Sequence, residues 1–280
     1  MKRKTAFILL IILAAGILCG MGTAEEEAEL PVPHLSDETL MTYYSNTIFA
    51  GDSLVASFRN YVKTKKKDNP DYFSGIDFRA VNSYLFRYAT SRYIREIHGA
   101  HLYDGGLDAT LYTIVMNAQP EKLFVLAGLN DTFTTDYTMA MQEVDETGYD
   151  RAARYVREMT GLVREASPDT QIYIVSQMPV TEEFVQGLHK GKEVQERFDL
   201  VNETVQQECE SLEIRYVDLT TGLKGKDGLL PQDYSSDHLV HLNEAGFEIF
   251  ARELLDFAQE EYEAGNWIPA AAGSGEDNRG

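Results

Sequence analysis

Ser53 follows a short apolar run in the way a nucleophilic serine does. The run Ile48–Ala50 leads into Gly51-Asp52-Ser53-Leu54, and apolar residues then recur at helical spacing. This pattern predicts a strand, a sharp turn and a helix. The serine N–H and the positive end of the helix can both face an anion there, as acyl transfer requires. The four residues alone are equally well explained by a turn in which Ser53 caps the helix.

A histidine and an aspartate lie close together before the last predicted helix. Asp237 and His241 precede an apolar stripe at helical spacing that Asn243 is placed to cap. An acid and a histidine this close can act as one unit, in which the carboxylate orients the base. We predict Asp237 as the acid, because Asp233 is eight residues from His241 and would need a wider loop. The alternative is a surface loop in which the aspartate only caps a turn.

An asparagine follows a third apolar run, which ends in Leu126-Ala127-Gly128-Leu129-Asn130-Asp131. Glycine permits close approach of the backbone. Asn130 can point its amide N–H groups toward a site, and Asp131 can cap the segment that follows. The same residue types also form an ordinary β-turn.

A parallel sheet is the element that must position these residues. Strands are predicted for five short runs rich in β-branched or aromatic residues: Thr47–Ala50, Asp77–Val81, Lys122–Ala127, Gln171–Ser176 and Glu213–Asp218. Helical patterns lie between these runs, so the predicted fold is α/β, with helices on both faces of a parallel sheet of about five strands. Ligands bind beyond the carboxyl ends of the strands in such a sheet, where Ser53 is expected.

The N-terminus has the parts of a secretory signal peptide. A basic head at residues 2–4 precedes an apolar run from Ala6 to Cys19, and small residues then lead to Ala24. We predict cleavage after Ala24 and a secreted or extracytoplasmic location, with an uncleaved membrane anchor as the alternative. The predicted organisation is a signal peptide at 1–24, a linker and first short helix at 25–45, a folded domain at 46–262 and a disordered tail at 263–280.

Composition limits the partners of the chain. The formal net charge is −20, which disfavours nucleic acid and anionic membranes as partners and is compatible with a neutral or cationic substrate. Only Cys209 follows the predicted cleavage site, so no intrachain disulfide is expected. The sequence contains no phosphate-binding glycine loop and no convincing metal-ligand cluster beyond the pair His98 and His101. We therefore predict neither a metal nor a cofactor. The oligomeric state is not indicated.

Three blocks in register resemble the SGNH, or GDSL, hydrolase family: residues 51–54, residues 128–131, and Asp237 with His241. The resemblance extends from about residue 46 to about residue 259. It implies a flavodoxin-like three-layer α/β/α sandwich that hydrolyses esters without a metal or organic cofactor.

The same resemblance implies a role for each matching residue. Ser53 resembles the nucleophile, His241 the base that deprotonates it, and Asp237 the acid that holds the imidazole. Asn130 resembles the side-chain donor of the oxyanion hole, and the backbone N–H of Ser53 is a second donor.

The sequence departs from the family pattern in two places. The family's second block usually supplies a glycine N–H to the oxyanion hole, but here Val81-Asn82-Ser83-Tyr84 is followed by no glycine until Gly99. The N–H of Ser83 or a neighbour is expected to substitute, since every non-proline residue has this donor. The family's acid also commonly lies three residues before the histidine, at the position of His238, whereas Asp237 lies four before His241.

The predicted function is a secreted serine esterase that acts on a small-molecule or carbohydrate ester, with O-acetyl groups on polysaccharide or cell-wall glycan as candidate substrates. The alternatives are an acyltransferase with the same residues and an inactive glycan-binding module. The aromatic residues Tyr84, Phe86, Tyr88 and Tyr93 follow the second strand and are expected to be core rather than part of a ligand site.

Overall fold

Five parallel strands form the central sheet of the structure, a computed structural model that describes residues 32–126, 128, 130–131, 148–187 and 193–270. In chain order the strands of the described residues are β1 (Thr47–Gly51), β2 (Ile76–Ala80), β3 (Leu102–Asp104), β4 (Leu107–Ala109), β5 (Lys122–Leu126), β6 (Gln171–Val175) and β7 (Arg215–Val217). The sheet has the order β2-β1-β5-β6-β7, and β3 and β4 form a separate antiparallel hairpin. The predicted α/β fold and its sheet are confirmed.

The predicted strand boundaries agree with the structure within one or two residues. The largest difference is at β7, which was predicted from Glu213 and begins at Arg215. Glu213 has a left-handed backbone, with φ +54°, and belongs to the turn that ends the preceding helix. The N–H of Ile214 donates to the Cys209 carbonyl within that turn, so these residues are not available to the sheet.

The helices surround the sheet. Within the described residues they are α1 (Asp37–Met41), α2 (Ser53–Lys65), α3 (Leu111–Ala118), α4 (Gly148–Ala166), α5 (Glu182–Gly187), α6 (Glu193–Ser211) and α7 (Glu244–Glu263). Side-chain caps begin four of them, α1, α2, α3 and α7. In α2 the Asp52 carboxylate accepts from the Leu54 N–H at 2.9 Å, and in α7 Asn243 Oδ1 accepts from the Gly246 N–H at 3.1 Å. Asn243 therefore caps α7 as expected, while α2 is capped by Asp52 and not by Ser53.

The core is divided by the sheet into two layers. All five residues of β1 are buried, because a parallel strand covered on both faces is apolar along its whole length. Successive side chains point to opposite faces: Phe49 joins the core beneath α2 and α7, whereas Ile48 and Ala50 join the core beneath α3, α4 and α6. This is the expected three-layer α/β/α arrangement.

An aromatic row fixes neighbouring strands at the same height. Phe49, Phe124 and Tyr173 occupy register positions on β1, β5 and β6. The Phe124 ring stacks on Phe49, with centroids 5.6 Å apart, and on Tyr173, with centroids 4.4 Å apart. Each such pair contributes about 0.5–1.5 kcal/mol beyond the area it buries. The row therefore holds β1 and β5 in register, and the segments that follow them depend on that register.

Three of the four aromatic residues after β2 belong to the core. Tyr84, Phe86 and Tyr88 are buried, whereas Tyr93 is 49% exposed. Cys209 is fully buried, and burial raises the pKa of its thiol to about 12, so it is not a nucleophile. The predicted signal peptide, the linker up to residue 31 and the end of the predicted tail lie outside the described residues. Within the part of the chain described here, none of the helices has the length and apolar character needed to span a bilayer.

Candidate active site

The carboxyl ends of β1 and β5 lie side by side. Gly51 ends β1 and pairs in register with Leu126, which ends β5. A Cβ on Gly51 would lie 2.1 Å from the Leu126 carbonyl oxygen, so only glycine permits this approach. Ser53 begins α2 two residues later. It therefore lies just beyond the carboxyl edge of the sheet, where the sequence placed it.

Ser53 and His241 are hydrogen-bonded to each other. Ser53 Oγ lies 3.0 Å from His241 Nε2, and His241 Nδ1 lies 2.5 Å from Asp237 Oδ2. With Nδ1 donating to the carboxylate, Nε2 is left to accept from the serine hydroxyl. An imidazole arranged in this way can take the hydroxyl proton while the carboxylate stabilises the imidazolium that forms.

The turn around Asp237 brings the acid to its histidine. Asp237 Oδ1 accepts from the N–H groups of Leu239, Val240 and His241 at 2.8, 3.0 and 3.1 Å. The carboxylate thus closes a single turn whose end carries the imidazole over it. His238 lies in that turn with a left-handed backbone, φ +60°. The turn explains how an aspartate four residues before the histidine reaches Nδ1 in spite of the extra residue.

Asp233 and His238, the two other residues considered for the position of the acid, make different contacts. Asp233 is exposed, and it is its backbone carbonyl, not its carboxylate, that accepts from Asn243 Nδ2 at 2.7 Å. The carbonyl of His238 accepts from Thr181 Oγ1 at 2.5 Å. Among the contacts of the described residues, neither side chain meets the His241 ring.

Backbone pairing closes the base of the same loop. The Ser236 N–H donates to the His241 carbonyl at 2.8 Å, and Ser235 forms an antiparallel bridge with Leu242. A Cβ on Gly246, in the first turn of α7, would lie 2.6 Å from the Tyr234 carbonyl oxygen. His241 is therefore held between a closed loop and the start of the last helix.

Asn130 ties the end of β5 to the end of β1. Its Nδ2 donates to Asp52 Oδ2 at 3.1 Å and to the Tyr84 carbonyl at 3.3 Å. Asp52 is completely buried and directly precedes Ser53. The predicted amide donor is thus fixed beside the serine by a carboxylate that the sequence analysis had not assigned a role.

Ser83 occupies a tight turn after β2. The Val81 N–H donates to the Gly51 carbonyl at 3.2 Å, which continues the pairing of β2 with β1. The Tyr84 N–H then donates to the Val81 carbonyl at 3.3 Å, and Ser83 has φ +62°. A positive φ at the third residue of a four-residue turn is typical of type II, which usually places glycine there. Ser83 therefore adopts the backbone conformation that glycine usually has at this position of the turn.

Asp131 contacts an earlier part of the chain. Its Oδ2 accepts from the Phe86 N–H at 2.5 Å and its Oδ1 from the Arg87 N–H at 3.2 Å. Asp131 was expected from the sequence to cap the segment that follows it, which lies outside the described residues. The contacts that the structure shows lie 44 and 45 residues before it. The Asn-Asp pair was visible in the sequence, but the distant N–H groups that it meets were not.

The acids near Ser53 have opposite electrostatic surroundings. Burial alone would raise the pKa of Asp237, but hydrogen bonds from His241 and from three backbone N–H groups hold that pKa far below its usual range. Burial raises the pKa of Asp52 to about 7, against the lowering effects of the Leu54 N–H and of His241. Burial also raises the pKa of Asp131, although the Phe86 and Arg87 N–H groups oppose it.

A family comparison agrees with this arrangement. The model of the GDSL-like lipase/acylhydrolase family matches residues 49–249, which include Ser53, Asn130, Asp237 and His241. The chain belongs to the GDSL-like lipase/acylhydrolase family. As a member of this family it is a hydrolase of ester bonds. No curated protein sequence matches it.

Solved structures of GDSL-type proteins share the fold. A GDSL-like lipase from Bacteroides thetaiotaomicron is 17% identical with a TM-score of 0.53, and the alignment covers 79% of this chain and 90% of that one. A putative acylhydrolase from Bacteroides fragilis is also 17% identical, with a TM-score of 0.53 and coverage of 77% and 86%. An acetyl xylan esterase from Geobacillus stearothermophilus is 18% identical, with a TM-score of 0.51 and coverage of 76% and 93%.

Metal ligands were not expected in this hydrolase. Across the described ranges, no three histidine, cysteine, aspartate or glutamate side chains are grouped so that they could hold an ion. His101 Nδ1 lies 3.9 Å from Asp108 Oδ2, and its Nε2 lies 3.3 Å from the Ile97 carbonyl.

Proposed function

We propose that this GDSL-family hydrolase is an exported serine esterase with a Ser53–His241–Asp237 triad. The observation that supports it best is the continuous line of hydrogen bonds from Asp237 Oδ2 through the imidazole to Ser53 Oγ, with distances of 2.5 and 3.0 Å. Ser53 Oγ attacks the ester carbonyl while His241 takes its proton, and the protonated imidazole then gives that proton to the leaving alcohol. Water attacks the acyl-enzyme in the second half of the cycle, again through His241.

The oxyanion of both tetrahedral intermediates is stabilised by donors at three segment ends. The Ser53 N–H belongs to the first turn of α2, where backbone donors lack helical partners. The Asn130 amide is held beside it through Asp52, and its second N–H, which donates to the Tyr84 carbonyl at 3.3 Å, must turn from that carbonyl to the oxyanion. The Ser83 N–H takes the place of the family's second-block glycine in this proposal. Preorganised donors of this kind each contribute about 10²–10³ to the rate.

Covalent labelling tests the nucleophile. A fluorophosphonate should modify the wild-type protein once, at Ser53, and should not modify Ser53→Ala. Ser211→Ala is the matched control, because this exposed serine at the end of α6 should leave labelling unchanged. An unlabelled wild type, under conditions that label a control esterase, would refute the triad and favour the inactive glycan-binding module.

A short acyl group is the substrate feature that we propose. An acetyl xylan esterase is among the proteins with this fold, so acetyl groups on carbohydrate are the substrates to test.

A chain-length series and a product analysis test this specificity. With p-nitrophenyl esters, kcat/KM should be highest for acetate and should fall steadily through butyrate and octanoate. Acetylated xylan should release free acetate. A preference for octanoate would refute the short acyl site, and transfer of acetate to a sugar hydroxyl in place of water would make the protein an acyltransferase.

A further inference from the structure

The turn that carries Ser83 is strained and needs support. A residue other than glycine is strained in the left-handed region, because its Cβ crowds the backbone. Ser83 has φ +62°, and the sheet holds only the first residue of its turn, through the bond from the Val81 N–H to the Gly51 carbonyl. Strained backbone of this kind persists only where the surroundings determine it.

Asp131 supplies that support on the far side of the turn. The short 3₁₀ helix Phe86–Thr90 starts two residues after the turn, and its N-cap, Leu85, offers no side-chain acceptor. The first N–H groups of a helix have no partner within it. Asp131 accepts from the first two of them, those of Phe86 and Arg87, at 2.5 and 3.2 Å. Asp131, from another part of the chain, thus caps this helix in place of an N-cap side chain.

The residue before Asp131 holds the middle of the same segment. Asn130 Nδ2 donates to the Tyr84 carbonyl at 3.3 Å and to Asp52 Oδ2 at 3.1 Å. Two consecutive side chains after β5 therefore fix the segment from Tyr84 to Arg87 relative to the residue that precedes the nucleophile. The hydrogen bonds that Asp131 accepts from Phe86 and Arg87 thus oppose the strain at Ser83.

We propose that Asp131 is a positioning residue of the esterase, one that holds the Ser83 turn in the conformation in which its N–H can serve the oxyanion. The inference rests on the proposed function. Asp131 acts through the Phe86 and Arg87 N–H groups and does not touch the substrate. The chain lacks the family's second-block glycine, which could adopt this conformation without strain. The contact with Asp131 instead holds a serine in it.

The variant Asp131→Asn tests the inference with minimal change of shape. Its amide oxygen can still accept from one N–H, but its NH₂ group then faces the other. We expect kcat for p-nitrophenyl acetate to fall by about 10–10² with KM nearly unchanged, because a misplaced donor is lost mainly in the transition state. A boronate that forms a tetrahedral adduct on Ser53 should bind more weakly by a similar factor.

Asp218→Asn is the matched control. Asp218 also lies at the carboxyl edge of the sheet, just after β7, and accepts from a backbone N–H, that of Thr220, at 2.9 Å. The control should lower the melting temperature without changing kcat or boronate affinity. Unchanged kcat in folded Asp131→Asn, or an equal loss in Asp218→Asn at equal loss of stability, would overturn the positioning role. A wild type that a fluorophosphonate does not label would instead overturn the proposed function itself.

Discussion

The carboxylates on the two sides of Ser53 are alike in type and opposite in behaviour. Asp237, in the loop before α7, is about one-third exposed, and five hydrogen-bond donors stabilise its charge. Asp52, between β1 and α2, is completely buried, and its pKa is raised to about 7. The exposed acid therefore stays charged beside the imidazole, whereas the buried one ionises with difficulty. The surroundings, and not distance along the chain, make Asp237 the partner of a histidine.

The largest effect is expected on the charged side. Asp237→Asn should lower kcat by about 10⁴, because an amide facing Nδ1 favours the wrong tautomer of His241. Asp233→Asn, at an exposed position of the same region, should leave kcat unchanged. Steady-state kinetics of the two variants would settle the comparison, and the opposite result would transfer the acid role to Asp233.

Asn130→Ala tests the buried side. The variant should lower kcat by about 10²–10³, which is about 2.7–4 kcal/mol of transition-state stabilisation, while the far-ultraviolet spectrum stays unchanged. Asn117→Ala provides the control: this amide also donates to an aspartate, Asp104, at 3.0 Å, but lies on α3. Unaltered turnover in a folded Asn130→Ala variant would remove this amide from the oxyanion hole.

The pH dependence of stability should differ in sign between the two acids. The folded state binds the Asp52 proton more tightly than the unfolded chain, since the pKa rises from 3.8 to about 7. That contribution is complete below pH 4 and is lost as the pH rises through 7. Asp52→Asn is neutral at every pH and should not lose stability in this way. The free energies of unfolding of the wild type and the variant should therefore change with pH by amounts that differ by a few kcal/mol, at about 1.4 kcal/mol per pKa unit.

Urea unfolding of the wild type and Asp52→Asn at intervals between pH 4 and 8 would measure how the free energy of unfolding depends on pH. For Asp237 the series must extend below pH 4, because the low pKa of Asp237 stabilises the fold above pH 4 and this contribution is lost only in acid. Asp237→Asn should lack that loss in acid. Parallel stability curves for wild type and Asp52→Asn would show that Asp52 ionises normally.

The smallest expected effect concerns backbone strain, which is present both in the turn at Ser83 and in the turn at His238. Ser83 has φ +62° and His238 has φ +60°. Ser83→Gly and His238→Gly should each raise the free energy of unfolding by about 0.5–1 kcal/mol, because the relief of strain exceeds the entropy that glycine adds to the unfolded chain. Ser211→Gly, at the end of α6, should lower it by a similar amount. Chemical denaturation would detect all three, and a loss at Ser83 or His238 would show that its turn is unstrained.

The sequence was most informative where local pattern decides structure. The apolar runs at β1, β5 and β6 identified strands because burial on both faces leaves them little choice of residue. Ser53, Asn130 and His241 could be located because each adjoins such a strand or a capped helix. The turn at Asp237–His241 could also be predicted, since it needs only five consecutive residues.

Contacts between distant segments could not be predicted in this way. The bond from Asp131 to the Phe86 N–H spans 45 residues and depends on the alignment of β1, β2 and β5. The β3–β4 hairpin was missed for another reason. Its two central residues, Gly105 and Gly106, both have positive φ and form a hairpin turn, but three-residue strands with an exposed Leu107 give almost no alternation.

The closed loop that carries His241 has a consequence for the order of folding. The acid and base are four residues apart, whereas the base and the serine are 188 residues apart. Contacts within one turn form quickly, and closure of a long loop is slower because more chain entropy is lost. During refolding, the Asp237–His241 pair should therefore form before His241 meets Ser53. Recovery of esterase activity should then lag behind recovery of the helical signal, because activity requires the contact between His241 and Ser53, which forms last.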